Sequence, residues 1–556
     1  MGKILSNIKI LSRLPLSVLL RRALSRLVTP KEIQLDLQLK SFDLLSNNDQ
    51  LKIDLDVVND IKKNVIQVFD KVDFGQKIRW DFTDDKFPKK DIRITWELGR
   101  MHFLKDLAID GGDEARQKYV SLITSFVEGG ETGETASQWS CAMEVGIRLS
   151  NWLVSYSIFK SKGDFSEEFN QLFDEVCRTH IQYIWNNLEH KEGLGNNHYL
   201  FNLSSLLLAS RCYSFPDHYF DFIKDQFLHE IDQQFFNDGG NFEGSTAYHL
   251  HGVEAVSVGL SCLVNAKTDV EKAIWDKWIK ALSLAELVID DSGDYLRFGD
   301  DDSGYYLEQS SSNPAVNKKW VGELIKAWEG SEKAFSSLSA YWVQTMLQDF
   351  KLDIQPSSWE EQEETFQLFN HHQETVITHD PINLEEMEPF AFLDFGLYGF
   401  KSDGFKLSVS GISNPNMHCS WGHVHNDQMS FELIVNGQAL VKSPGTYVYN
   451  ANPLDRNLFR SVKAQHGIDV GEEPNHWENT QWGLFYLSRD SRVQLLKMNK
   501  TELVLRHEFK KYRHIRKFNI HADKLIIDDW CNHPFKVNVN QFKWYSPIYG
   551  RKEKMS

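Results

Sequence analysis

Three histidines, His418, His423 and His425, fall within eight positions around the run Trp421-Gly422-His423-Val424-His425-Asn426-Asp427. Side chains alternate along an extended chain, so His423 and His425 leave the same face, as two metal ligands or a ligand and a catalytic group would. A zinc site asks for at least a third protein ligand, and His466 is available for it. The same stretch carries Tyr447 and Tyr449 after Ser443-Pro444-Gly445-Thr446, then Arg456 and Arg460. Imidazoles, phenols and guanidiniums together can move protons and hold anions. Two earlier stretches have similar character. Gly193-Leu194-Gly195-Asn196-Asn197-His198 opens an apolar helical pattern, where an Asn is ordinarily a cap but where exposed amides also favour an anion. Asn237-Asp238-Gly239-Gly240-Asn241-Phe242-Glu243-Gly244-Ser245-Thr246-Ala247-Tyr248-His249 is a glycine-punctuated loop that delivers Glu243 and Tyr248 toward a helix, either as a tight turn with an anchoring tyrosine or as a cleft floor. Glu144 and Arg148 lie four apart beside Trp139 and share a helix face, the spacing of a structural ion pair.

The elements that must hold these groups change character along the chain. From about residue 55 to 350, apolar residues recur at helical spacing, as in Leu200, Leu203, Leu206 and Leu207, or Val253, Val256, Leu260 and Leu263. Glycine breaks at 129–130, 193–195, 239–240 and 293 cut this half into helical hairpins that pack around a common centre. A polar connector with Glu360, Glu361, Glu363 and Glu364 follows, and beyond it the period is two, as in Phe405 to Val409 and Ser430 to Val435. Asn436-Gly437 between two apolar runs marks a two-residue hairpin. The fold class is therefore α+β and multidomain, helical hairpins followed by an antiparallel β-sandwich. The expected boundaries are a basic lead-in over 1–50, a helical domain over 51–352, an acidic linker over 353–388 and a sandwich over 389–556.

Composition narrows the function classes. The chain has 556 residues, with 61 Lys and Arg against 78 Asp and Glu, a net charge of −17 that argues against a nucleic-acid binder. A polyanion is then a partner only if the cleft is locally basic, and Arg148, Arg297, Arg456, Arg460 and Lys463 are the candidate lining. The six cysteines lie far apart without C-x-x-C pairs, as buried small hydrophobes would. No apolar run is long enough to span a bilayer and no signal peptide is recognisable, so a cytoplasmic or peripheral membrane location is expected. A basic amphipathic helix over 16–27 either caps the first domain or touches an anionic membrane surface.

The ordered islands W-S-x-A-M-E-x-x-x-R, N-N-H, D-G-G-x-F-E-G-S-x-x-Y-H, G-H-x-H-N-D-x-x-S-F-E-L and P-G-T-Y-x-Y resemble the heparinase II/III-like polysaccharide lyases, over about residues 90 to 550. The resemblance implies an (α/α) toroid, a β-sandwich, and β-elimination on a uronate glycan. By position it makes Asn197 and His198 the groups that neutralise the uronate carboxylate. Tyr248 becomes an acid and also a base, His423 a base or carboxylate contact, and Tyr449 or Tyr447 a second phenol. Glu243 joins the arginines as a substrate-binding group. No cofactor is required. Relatives hold a structural metal through residues matching His425, His466 and an acid that is Ser443 here, beside Lys442, so any zinc is expected to bind weakly. The chain stops at Ser556, earlier than relatives, so the expectation is either a sandwich trimmed at one edge or a shortened chain. Two rivals stand beside this reading: a glycoside hydrolase using carboxylates such as Glu243 and Asp238, and a catalytically idle relative that binds or processes a cell-surface polysaccharide.

Overall fold

The computed structural model describes residues 34–555 except 46–49, 84, 86–89, 191–194, 333, 349, 355–360, 414–421 and 479–481. The basic helix expected over 16–27, together with Gly193, His418 and Trp421, lies outside the described residues.

Helices fill the first half: α1 (Leu55–Lys62), α2 (Ile92–Arg100), α3 (Leu104–Asp110), α4 (Asp113–Gly129), α5 (Ala142–Lys160) and α6 (Glu167–Asn186). They continue with α7 (Asn197–Ala209), α8 (Asp217–Gln234), α9 (Thr246–Asn265), α10 (Lys272–Leu287), α11 (Lys319–Glu329) and α12 (Leu338–Leu347). Helices α5, α7, α9 and α12 are buried on nearly every face, which a helix tolerates only when others surround it. They pack in succession, α5 on α7, α7 on α9 and α9 on α12, while the amphipathic α6, α8 and α10 cover them from outside. This alternation of inner and outer helices is the expected toroid. The apolar rows at Leu200 and Val253 belong to inner helices, so polar positions between them, such as Ser204 and Ser257, are buried too.

Caps set where α2 and the inner helices α7 and α9 begin. Asp91 accepts from the Arg93 N–H at the start of α2, Asn196 from Tyr199 at α7, and Ser245 from Tyr248 at α9. All three helix starts open toward one cleft.

The sandwich has two antiparallel sheets. Its strands are β1 (Gln362–Glu363), β2 (His371–Thr378), β3 (Glu388–Phe392), β4 (Leu397–Ser402), β5 (Phe405–Ser410), β6 (Phe431–Val435), β7 (Gln438–Val441), β8 (Ser491–Met498), β9 (Glu502–Phe509), β10 (Tyr512–Ile520) and β11 (Lys524–Cys531). One sheet runs β7-β6-β5-β4-β3 and the other β1-β8-β9-β10-β11-β2. Phe400, Leu407, Phe431 and Leu433 meet Leu503, Leu505, Phe518 and Ile527 in the core between them. The hairpin at Asn436-Gly437 joins β6 to β7, both residues with positive φ (49° and 74°), the mirror-image turn that matches strand twist. The connector expected over 353–388 is not all linker, because β2 pairs along its whole length with β11. As an exposed edge strand reading His-His-Gln-Glu-Thr-Val-Ile-Thr, it lacks the apolar alternation that would have announced it.

Candidate functional site

A cleft of about 400 Å³ lies where the starts of α2, α5, α7 and α9 meet the sandwich loops at 422–423, 449–450 and 485. Asn197, His198, Glu243, Tyr248, His423 and Tyr449, separated by up to 252 residues in the chain, all line it.

Asp300 organises the sandwich side. It is fully buried and accepts from His423 Nδ1 (2.9 Å), from His425 Nε2 (2.8 Å) and twice from the Arg456 guanidinium. Burial alone would raise its pKa, but Arg456 and the two imidazoles hold the carboxyl well below the usual range. Asp300 thereby fixes the proton of His423 on Nδ1 and leaves Nε2 with the lone pair. The backbone allows this approach because residue 299 is glycine: φ is +73°, and a Cβ there would sit 2.7 Å from the His423 carbonyl oxygen.

The His423 ring stacks on Tyr248, with centroids 3.8 Å apart and planes at 21°. The Tyr248 hydroxyl lies 3.1 Å from that of Tyr449. Burial, reinforced by the charges of Asp302 and Asp300, pushes the Tyr248 phenol well above its ordinary value, and burial with Asp300 does the same to Tyr449. Both are therefore neutral donors. The Tyr449 N–H donates to the Tyr549 hydroxyl, which itself donates to Asp91, the cap of α2. Tyr447 faces elsewhere, against Phe459.

On the helical side, Asn197 Nδ2 donates to Glu243 Oε2 (2.7 Å) and its backbone N–H to Glu243 Oε1 (3.2 Å). That uses one of the two amide hydrogens and leaves the other for a ligand. His198 Nδ1 meets Glu189 Oε1 at 3.0 Å. Burial pulls the His198 pKa down, but neighbouring Cys141 and Glu189 outweigh it and raise it well above the ordinary value, which favours the charged ring. Glu189 correspondingly falls to about 2 despite its burial.

The cleft's arginines are not the expected ones. Arg148 is fully buried and donates to His180 and to carbonyl oxygens of Gly99 and Gln138. Its expected partner Glu144 pairs instead with Arg100. Arg297 is enclosed by Asp294, Asp301 and the Tyr295 ring, and Arg460 spends its donors on Asn457 and on carbonyl oxygens of Gly483, Leu484 and Tyr486. Arg456 lies behind the cleft wall, donating to Asp300 and to the carbonyl oxygens of Gly422 and Leu484 with its guanidinium over the Tyr449 and Phe485 rings. A desolvated guanidinium needs its partners, so these four are committed internally. Arg93, tied to Asp302 and Glu97, and Arg100 line the cleft in their place. Sequence spacing did not point to them, to Asp300 or to Glu189. The Gly299-Asp300-Asp301-Asp302 run was the one available signal.

The expected metal residues do not fit an ion. His466 receives the Asn540 N–H on Nδ1 and meets the Lys442 carbonyl through Nε2, which leaves no lone pair to donate. His425 is held by Asp300, and Lys442 pairs with Asp294. The hydrolase pair fails on similar grounds: Asp238 caps the backbone of Gly240, Asp394 and Phe395 away from the cleft, while Glu243 holds Asn197.

Residues 28–288 match the family model described as heparinase II/III N-terminus, and residues 386–534 the one described as heparinase II/III-like, C-terminal. Among curated sequences none matches the chain. A solved heparinase III superposes with TM-score 0.53 at 13% identity, over 90% of this chain and 74% of that one. A heparinase III gene product with methylated lysines gives TM-score 0.50 at 15% identity, over 96% and 84%. At such identities the likeness is one of fold.

Proposed function

The chain belongs to the heparinase II/III family, and from that premise we propose that it is a polysaccharide lyase whose cleft breaks a uronate-containing glycan by β-elimination. The step removes the proton on C5, turns its electron pair into the C4–C5 double bond and expels the glycosidic oxygen on C4, which takes up a proton. Abstraction next to a carboxylate is slow because negative charge accumulates, so the carboxylate must first be neutralised. Cationic His198 and the free amide hydrogen of Asn197 serve that purpose.

His423 Nε2 is then the base, and the Tyr248 hydroxyl the acid that protonates the leaving oxygen. The sign of the pKa shift supports this division, because a phenol pushed upward holds its proton until a leaving oxygen needs it. Tyr449 hydrogen-bonds Tyr248 and can pass it a proton for the next turnover. The observation that supports the reading is the Asp300–His423–Tyr248–Tyr449 chain, in which Asp300 holds His423 Nδ1, the His423 ring stacks on Tyr248 and the two phenol hydroxyls meet.

Incubation with a panel of uronate glycans tests it. A lyase generates unsaturated uronate ends, visible as new ultraviolet absorbance. Reducing ends without that chromophore would indicate a hydrolase, and tight binding without any product an idle relative.

A further inference from the structure

At the helical rim of the cleft three donors of different chemistry converge. Cys141 Sγ lies 3.6 Å from His198 Nδ1 and 3.7 Å from Glu189 Oε1, and His198 Nδ1 lies 3.0 Å from Glu189 Oε1. These three ligand atoms all fall within 4.8 Å of one another, the only such group of His, Cys, Asp and Glu among the described residues. A tetrahedral zinc bound at about 2.3 Å to sulfur, 2.0 Å to nitrogen and 2.1 Å to oxygen has donor–donor edges of about 3.5 to 3.6 Å from sulfur and about 3.4 Å between nitrogen and oxygen. The two edges from sulfur, 3.6 and 3.7 Å, are within about 0.1 Å of those lengths, and the third must open by a few tenths of an ångström.

The donors are also held in place. Glu189 Oε2 accepts from the Met143 N–H at 2.8 Å, and the Glu189 N–H donates to Asn202 Oδ1 at 2.8 Å. Cys141 is the residue immediately before α5, and His198 stands in the first turn of α7, so two packed helices set their separation. Cys141 is buried, whereas the His198 side chain is 34% exposed and lines the cleft, so the group borders the cleft on its His198 side.

We propose that Cys141, Glu189 and His198 form a binding site for one zinc-class divalent cation. Mixed sulfur, nitrogen and oxygen ligation favours such an ion over magnesium or calcium, which take oxygen sets. Binding displaces the thiol proton and the proton on His198 Nδ1 to solvent, and the ion gains sulfur, nitrogen, oxygen and one water. If the lyase reading holds, occupancy also withdraws His198 from the substrate carboxylate, so the ion is an inhibitor read out through the cleft.

The test titrates the metal-stripped full chain with cobalt(II), followed by zinc competition. One equivalent of cobalt should produce a thiolate-to-cobalt charge-transfer band and the visible bands of a tetrahedral ion, both lost on adding zinc. Cys141→Ser should abolish the charge-transfer band, and Glu189→Gln should weaken binding by at least about tenfold, with circular dichroism confirming that both variants fold. Absence of the band in the unmodified chain, or its survival in Cys141→Ser, overturns the proposal. These arms need no substrate, so a failed lyase assay leaves them intact. Where turnover is measurable, zinc should inhibit the unmodified chain and spare Cys141→Ser.

Discussion

Asp300→Asn is the sharpest perturbation the structure offers. The substitution keeps size and shape but replaces one acceptor oxygen by an amide that donates. Each carboxylate oxygen of Asp300 now faces one Arg456 nitrogen and one imidazole: Oδ1 serves His425, and Oδ2 serves His423. An amide placed on the Oδ2 side confronts two donors. His423 escapes the clash by moving its proton to Nε2, which removes the lone pair that the proposed base requires. Wrong-tautomer variants of Asp–His pairs lose about 10⁴ in turnover in the best-studied hydrolases. With Asp300 also bonded to His425, which can adapt instead, a loss of about 10² to 10⁴ is expected, or about 2.7 to 5.4 kcal/mol at 1.36 kcal/mol per tenfold. Stability falls as well, because Arg456 loses its counter-charge in a site where both partners are fully buried, an imbalance typically worth about 3 to 5 kcal/mol. Initial rates from ultraviolet absorbance, taken well below the variant's melting temperature, separate the two effects. A folded Asp300→Asn protein turning over within threefold of the unmodified chain would refute the argument that Asp300 orients the base.

Tyr248→Phe keeps the ring on His423 and removes only the hydroxyl, so turnover should fall by about 10² to 10⁴ while KM stays near its original value. The lost hydrogen bond to Tyr449 should cost about 1 kcal/mol in denaturant unfolding. Gly299→Ala sets a methyl against the carbonyl oxygens of His423 and Gly244 at positive φ, so activity and melting temperature should drop together. Asp529 is buried against Arg516 and His514, and these hold its pKa at about 2 against an ordinary 3.8. Because the folded value is depressed, its contribution is complete above about pH 3.8 and disappears as pH falls toward 2. It amounts to about 2 kcal/mol, and Asp529→Asn should flatten that limb of an acid-unfolding curve.

The periodicity of Leu200 to Leu207 and of Val253 to Leu263 was enough to announce inner helices, and Asn436-Gly437 a hairpin, because these signals are local. Residues 197, 198, 248, 423 and 449 could also be picked out, since polar and aromatic side chains beside glycines are conspicuous. Charge was harder to read. Arg148 and Arg460 have the residue type of an anion site, yet burial turns each into an internal clamp. Arg93 and Arg100 sit on a helix with no unusual composition and become cleft residues only when α2 docks. Asp300 stands in an acidic run that reads as a solvated turn, and its role exists only once residues 423 and 456 fold over it. Strand β2 escaped for the opposite reason, since an edge exposed along one side has no apolar alternation to display.

The Asp91–Tyr549–Tyr449 relay links the cap of α2, the end of the chain's β half and the Tyr248–Tyr449 phenol pair by two hydrogen bonds. Together with Asp300, it makes the seam between the two halves the place where chemical competence resides. Neither half can then be exchanged as an independent cassette. A chimera that joins this toroid to a homologous sandwich inherits activity only if both sets of cross-seam partners travel with it. Each half can be well folded in such a hybrid while the cleft between them remains inert.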